Sequence, residues 1–183
     1  MPNRSLTRLR EPWQSFLSEL DEKLLHSVEI RALGAFVLSA LYELPRSTGD
    51  LDCLSVLPND AVESLRQLGG KDSELAKKHN IWIQYLGTGI PDLPEDYEER
   101  LTELNLGLRK LSVVTLDSYD LVLSKLTRNS PKDREDVKFL ATKLGLNFSV
   151  LYGRFEKEMK PWIANPQRHE TTLDVVWREY FQR

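Results

Sequence analysis

The apolar positions of the chain fall into short blocks whose spacing changes along its length. Between Trp13 and His26, the residues Trp13, Phe16, Leu17, Leu20, Leu24 and Leu25 recur at intervals of three and four with acids on the other face, which predicts an amphipathic helix. Val28 to Leu44 is apolar apart from Glu29, Arg31, Ser39 and Glu43, so it should be buried on most sides. Two structures fit it: a continuous helix, or a short strand at Glu29 to Leu33, a break at Gly34 and a helix from Ala35 to Leu44. Pro45 ends the element either way, since a proline cannot continue a helix without losing a backbone hydrogen bond. After the polar turn Arg46-Ser47-Thr48-Gly49, the stretch Asp50 to Leu57 alternates loosely and predicts a strand closed by Pro58.

Ala61, Val62, Leu65 and Leu68 have helical spacing and Gly69-Gly70 stops them. A further helix, Ser73 to His79, leads into Ile81 to Leu86, a second strand rich in β-formers. The glycines and prolines from Gly87 to Pro94 predict a loop, Pro94-Glu95-Asp96 the first turn of a helix to about Leu101, and Leu111 to Leu116 a third strand. From Asp117 the pattern is helical throughout. Asp117 or Ser118 caps Tyr119 to Thr127, and Ser130-Pro131-Lys132-Asp133 opens a helix through Leu144 that Gly145 closes. Asn147 caps another to about Lys160, and Thr171 or Thr172 starts a last one through Phe181. The expected architecture is an α/β core with few strands followed by a helical bundle.

Composition narrows the chemistry. The 183 residues hold 25 Lys+Arg and 28 Asp+Glu, a formal charge of -3, which fits one globular domain or one with a small appendage. No apolar run approaches the roughly 20 residues needed to cross a bilayer, and the polar N-terminus lacks a signal-peptide core, so a cytoplasmic protein is expected. A lone cysteine, Cys53, excludes an internal disulfide and a paired-thiolate zinc site. His26, His79 and His169 are far apart and show no ligand spacing. Residues 1–124 carry 13 bases and 20 acids (-7), and residues 125–183 carry 12 and 8 (+4). The basic third suits a nucleic acid or a nucleotide phosphate; the interleaved acids equally suit a mixed-charge helical surface.

Asp50 and Asp52, two apart at the start of a strand, leave the same face and can meet on one cation. Paired carboxylates are how a protein holds Mg²⁺, which prefers oxygen ligands and keeps positions for water and substrate phosphates. The plain alternative is turn and strand-end polarity.

Read as one unit, Leu33 to Asp52 resembles the first motif of the minimal nucleotidyltransferase superfamily, in which a small-residue turn opens a helix and an Arg-x-Thr-x-Asp-x-Asp segment enters the next strand. The segment Leu116 to Leu126, followed by Lys132-Asp133-Arg134-Glu135-Asp136-Val137, looks like a lysine-bearing helix and then an Arg/Lys-Asp-x-x-Asp helix. In these features the chain is similar to short bacterial proteins related to the AbiEii-type abortive-infection toxins. The resemblance implies an α+β fold, with a small mixed sheet flanked by helices and a C-terminal helical bundle, divided as 1–27, 28–116 and 117–183. It also implies that Gly34 and Ala35 border a nucleotide triphosphate, that Arg46, Ser47 and Thr48 line the same pocket, and that Asp50 and Asp52 bind Mg²⁺. Lys125 would contact phosphate and Asp136 would be the acid of the downstream motif. Two departures stand out: Gln84 where family enzymes often place a third carboxylate, and Ala35 where Gly or Ser is usual.

Competing readings accompany each residue. Lys125, among Leu121, Val122, Leu123 and Leu126, can carry its charged tip out to water. Asp133 suits a helix N-terminus, and Asp136 a surface partner of Lys132, Arg134 or nearby bases. Cys53 reads as core. Trp162, Trp177, Tyr180 and Phe181 either stack on bases or pack inside a bundle, and Tyr152-Gly153-Arg154 reads as surface. Three functions follow: transfer of a nucleotide from NTP to an RNA (for example tRNA) or protein hydroxyl; a degenerate member serving as the partner in a toxin–antitoxin or defence pair; or an acidic regulatory domain whose helical tail binds protein.

Overall fold

Helix α1 (Trp13–Lys23) buries Trp13, Phe16, Leu17 and Leu20, the face that the spacing predicts, and stops at Lys23 rather than His26. The apolar segment that follows divides at Gly34. In the computed structural model, which describes residues 7–87 and 91–181, β1 (Val28–Leu33) runs directly into α2 (Gly34–Tyr42), and Gly34 has φ +76°. Glycine reaches that left-handed region without the clash a Cβ would bring, so the chain breaks there and the continuous helix is excluded.

The sheet is completed by β2 (Asp50–Leu57), β3 (Trp82–Tyr85), β4 (Thr102–Leu104) and β5 (Leu111–Thr115), in the order β3-β2-β1-β5-β4. Strand β1 is antiparallel to β2 and parallel to β5, β2 is parallel to β3, and β4 is antiparallel to β5. The sheet is therefore mixed, and with its helices it gives the expected α+β fold. Helices α3 (Ala61–Gly69) and α4 (Glu74–His79) fill the crossover from β2 to β3, a length that parallel pairing needs.

Strand β2 does not alternate evenly. Arg31 faces Ser55 but Ala32 faces Cys53, so Leu54 is an extra residue on β2. This bulge turns both Cys53 and Leu54 into the core, where they are 0% and 3% exposed. One face of the sheet carries Glu29, Arg31, Asp50, Asp52 and Ser55. The other carries Ile30, Ala32, Leu51, Cys53, Val56 and Val113, all buried against the helices. Trp13 meets Phe16 and Phe36 edge-on at 5.7 and 4.8 Å, joining α1 to α2. Gly69 of α3 lies against Leu20 and Ile83, tying α3 to α1 and β3.

These elements, residues Met1–Thr88 and Thr102–Thr115, form one compact unit; Gly89–Leu101 and Leu116–Arg183 form a second. In the second, the expected helix after Pro94 is a single 3-10 turn, Tyr97–Arg100, and the expected helix to Thr127 ends earlier, as α5 (Ser118–Leu123). Helix α6 (Pro131–Leu144) begins with the reciprocal Ser130–Asp133 capping box and ends at Gly145 in the left-handed conformation. Asn147 caps α7 (Phe148–Glu158). The last helical stretch starts earlier than Thr171: α8 (Pro166–Thr171) has a proline at its first position, continues as a π-helical turn over Thr172–Trp177 and closes with a 3-10 turn over Arg178–Tyr180. The unit's core is built from Leu121, Leu126, Leu140, Leu151, Phe155 and Trp177. Among the described residues no helix is long and apolar enough to cross a membrane. Thr88 to Ile90 of the expected loop, and the first six residues of the polar N-terminus, lie outside the described residues.

One acid fastens α1 to the sheet. Asp21 is buried, and its carboxylate accepts backbone N–H bonds from Arg109 (3.1 Å), Lys110 (2.7 Å) and Leu111 (2.7 Å), at the entry to β5. Burial pushes its carboxyl pKa up, but the three N–H donors outweigh that and hold it below the ordinary value. A depressed folded pKa gives stability that is complete above the unfolded value of about 3.9 and is lost as pH falls through the folded one. Asp21→Ala should therefore cost about 3 kcal/mol in urea unfolding at pH 7. The gap from the native protein should shrink as pH falls below about 4.

Candidate functional site

The antiparallel register sets Leu33, the last residue of β1, opposite Asp52 on β2. The Gly34 turn and the start of β2 consequently meet at one end of the sheet. The approach is close: a Cβ built on Gly34 would stand 2.5 Å from Asp52 Oδ2. The absent side chain is thus the space that the Asp52 carboxylate occupies. Asp50 and Asp52 leave one face of β2, as the two-residue period predicts, and both are half-buried.

The loop before β2 is held from two sides. Thr48 Oγ1 lies 2.9 Å from Asp50 Oδ1 and 3.0 Å from the Asp50 carbonyl oxygen. The Gly49 carbonyl accepts from Trp82 N–H at 3.1 Å, and the Trp82 ring lies 3.8 Å from where a Gly49 Cβ would be. Parallel pairing of β2 with β3 then sets Asp50 opposite Trp82 and Asp52 opposite Gln84, which is exposed. Ala35 is the second residue of α2 and half-buried, Arg46 is half-buried and Ser47 exposed. Gly34, Thr48, Asp50 and Asp52 are thus brought together. Trp82 is the residue the sequence reading missed; a β-forming aromatic in an apolar strand carries no sign of which residue it will face.

The donors present suit a hard cation held in part by solvent. Two carboxylates on one strand face are oxygen ligands of the kind Mg²⁺ takes, leaving the remainder of its shell for water or phosphate. Among the described residues no group of three or more His, Cys, Asp or Glu is arranged to hold a metal, so the fit rests on Asp50 and Asp52. Cys53 faces away from them, donates to the Ser55 carbonyl at 3.3 Å, and is pushed up to about 12 by burial, which keeps it a thiol at neutral pH. It is core, as expected.

In the second unit Lys125 and Asp136 come together. Lys125 is 4% exposed, with Nζ 2.9 Å from Asp136 Oδ2 and 3.6 Å from Asp133 Oδ1. This corrects two expectations. The lysine tip does not reach water, and Asp136 is no surface partner of Lys132 or Arg134 but half of a buried ion pair. Asp133 is the N-terminal acid of α6: it also receives the Arg128 guanidinium at 2.7 and 2.6 Å. Burial raises its pKa, yet Arg128, Ser130 and Lys125 together hold it well below the carboxylate range.

Arg154 is no surface residue either. Its Nη1 lies 2.8 Å from both Asp117 and Asp120, while Arg100 spans Asp120 (2.9 Å) and Glu158 (2.6 Å). Asp120 is fully buried and its pKa is raised, chiefly by burial. The pairs join residues 34 and 58 positions apart in the chain, a separation that leaves no mark in local periodicity. Trp177 and Phe181 are packed inside, the indole N–H of Trp177 donating to Asn129 at 3.2 Å, whereas Trp162 is 47% exposed.

A family model described as nucleotidyltransferase of unknown function (DUF6036) matches residues 15–183 of the chain. No curated protein and no solved structure matches it.

Gly34→Ala should cost about 1 kcal/mol from the left-handed backbone alone, plus the displacement of the Asp52 carboxylate. In a double-mutant cycle, pairing it with Asp52→Gly should recover the second part, so the two changes together cost less than their sum in urea denaturation. Lys125→Ala, which withdraws the ammonium from the buried Asp136 and Asp133 carboxylates, should cost about 3–5 kcal/mol, and Lys125→Met with Asp136→Leu should regain most of it.

Proposed function

We propose, for a chain that belongs to the nucleotidyltransferase family of unknown function (DUF6036), that Asp50 and Asp52 hold Mg²⁺ beside the triphosphate of an NTP. The observation that carries the reading is the contact of the Gly34 turn with the Asp52 carboxylate. It puts the start of a helix and a pair of acids at one sheet end.

The first N–H groups of α2 have no acceptor within the helix, and the N-cap residue, Leu33, makes no side-chain cap bond. Gly34 and Ala35, both half-buried, bring little side-chain bulk to that helix start, and a helix N-terminus favours phosphate oxygens. The loop residues Arg46, Ser47 and Thr48, which the sequence resemblance assigns to the same pocket and which precede Asp50 in the chain, would add a guanidinium and two hydroxyls. A hydroxyl oxygen of the acceptor, RNA or protein, attacks the α-phosphorus in line; the α–β phosphoanhydride bond breaks, pyrophosphate leaves, and the hydroxyl proton is lost to water. Mg²⁺ bound by the two carboxylates would offset the negative charge of the phosphate oxygens.

A second reading has its own support. The residue opposite Asp52 on β3 is Gln84, a neutral amide that ligates a cation less strongly than a carboxylate. That favours a degenerate member acting by binding, as an antitoxin-like or regulatory partner, consistent with the likeness to AbiEii-related proteins of toxin–antitoxin and phage-defence systems.

The test is to incubate the purified protein with each α-labelled NTP, Mg²⁺ and either total tRNA or a candidate partner protein, alongside Asp50→Ala/Asp52→Ala. Label transfer is expected from the native protein and none from the double variant. An NTP at a hundred times its Kd should stabilise the native protein by about 2.7 kcal/mol, seen as an Mg²⁺-dependent rise in melting temperature. Neither transfer nor that rise would leave the binding-partner reading.

A further inference from the structure

We propose that Thr48 is a positioning residue that sets the Asp50 carboxylate for cation binding; the inference rests on the metal role given to Asp50 above. Asp50 is the first residue of β2, where the ladder has just begun and a free carboxylate would turn about its side-chain torsions. The Thr48 hydroxyl meets that side chain, at 2.9 Å from Oδ1. A hydroxyl has a single proton, and the Asp50 carbonyl stands at almost the same distance, 3.0 Å. Between those two acceptors the charged one makes the stronger bond, so the proton goes to the carboxylate.

That bond occupies Oδ1 and leaves Oδ2 for a cation. The donor is itself held. Thr48 is β-branched and stiff at its first torsion, and the next residue, Gly49, is held by the Trp82 N–H on its carbonyl, with the Trp82 ring 3.8 Å from where its Cβ would be. Partners of this kind, which hydrogen-bond a ligand rather than the metal, change metal affinity by about 10–100-fold when removed.

Mn²⁺, a hard cation observable by its free-ion paramagnetic resonance signal, is the probe, titrated into the full chain without nucleotide. Thr48→Val removes the hydroxyl and keeps the shape; Thr48→Ala is the second hydroxyl-free variant should the valine form melt early. Both should weaken Mn²⁺ binding about 10–100-fold, Thr48→Ser should stay close to native, and the melting temperatures without metal should stay together. Native affinity in the hydroxyl-free variants, or a serine variant as weak as they are, overturns the proposal. Native protein that binds no Mn²⁺ in an Asp50-dependent way overturns instead the metal reading beneath it.

Discussion

The first unit depends on a steric constraint with an electrostatic purpose. Gly34 turns the chain from β1 into α2 at φ +76° and leaves empty the volume that the Asp52 carboxylate fills. A side chain there would be penalised twice, by its own backbone conformation and by collision with an acid that cannot retreat into the buried side of the sheet. One missing Cβ thereby fixes where β1 ends, where α2 begins and how far Asp52 projects. The Leu33–Asp52 register is the other half of the same constraint, since slipping it by one residue would turn Asp50 and Asp52 onto the face packed against helices.

Around that point the residues differ in how readable they were. The Gly34 break was one of two structures open to an apolar run, because periodicity cannot separate a buried strand joined to a helix from one buried helix; what decided it is the backbone at a single glycine. The shared face of Asp50 and Asp52 follows from the two-residue period and needed no tertiary information. Strand β4, three residues long, is too short to show alternation. The start of α8 at Asn165-Pro166 was legible in principle, a proline at the first helical position, but the threonines downstream offered a competing cap.

What the sequence could not show is pairing over distance. Lys125 looked like a base with an apolar stem, which it is, yet its ammonium meets two acids of α6 instead of water. The same holds for Arg154 and Arg100, whose partners lie on other elements of the second unit. An arginine or lysine in a helical pattern declares its charge and reach, while the identity of its partner depends on packing. Membership of the nucleotidyltransferase family of unknown function (DUF6036) agrees with the fold that the Leu33 to Asp52 segment implied.

The depth of the Lys125–Asp136 pair has a consequence for work at different ionic strengths. Counter-ions screen charges across water, with a Debye length of about 8 Å at physiological ionic strength, and barely reach a pair closed off from solvent. Exposed pairs such as Lys77–Glu74 should fade in concentrated salt, whereas the interior of the second unit should hold. Loss of binding to a polyanion on adding salt would then report the cations at the surface and not a collapse of the protein that carries them.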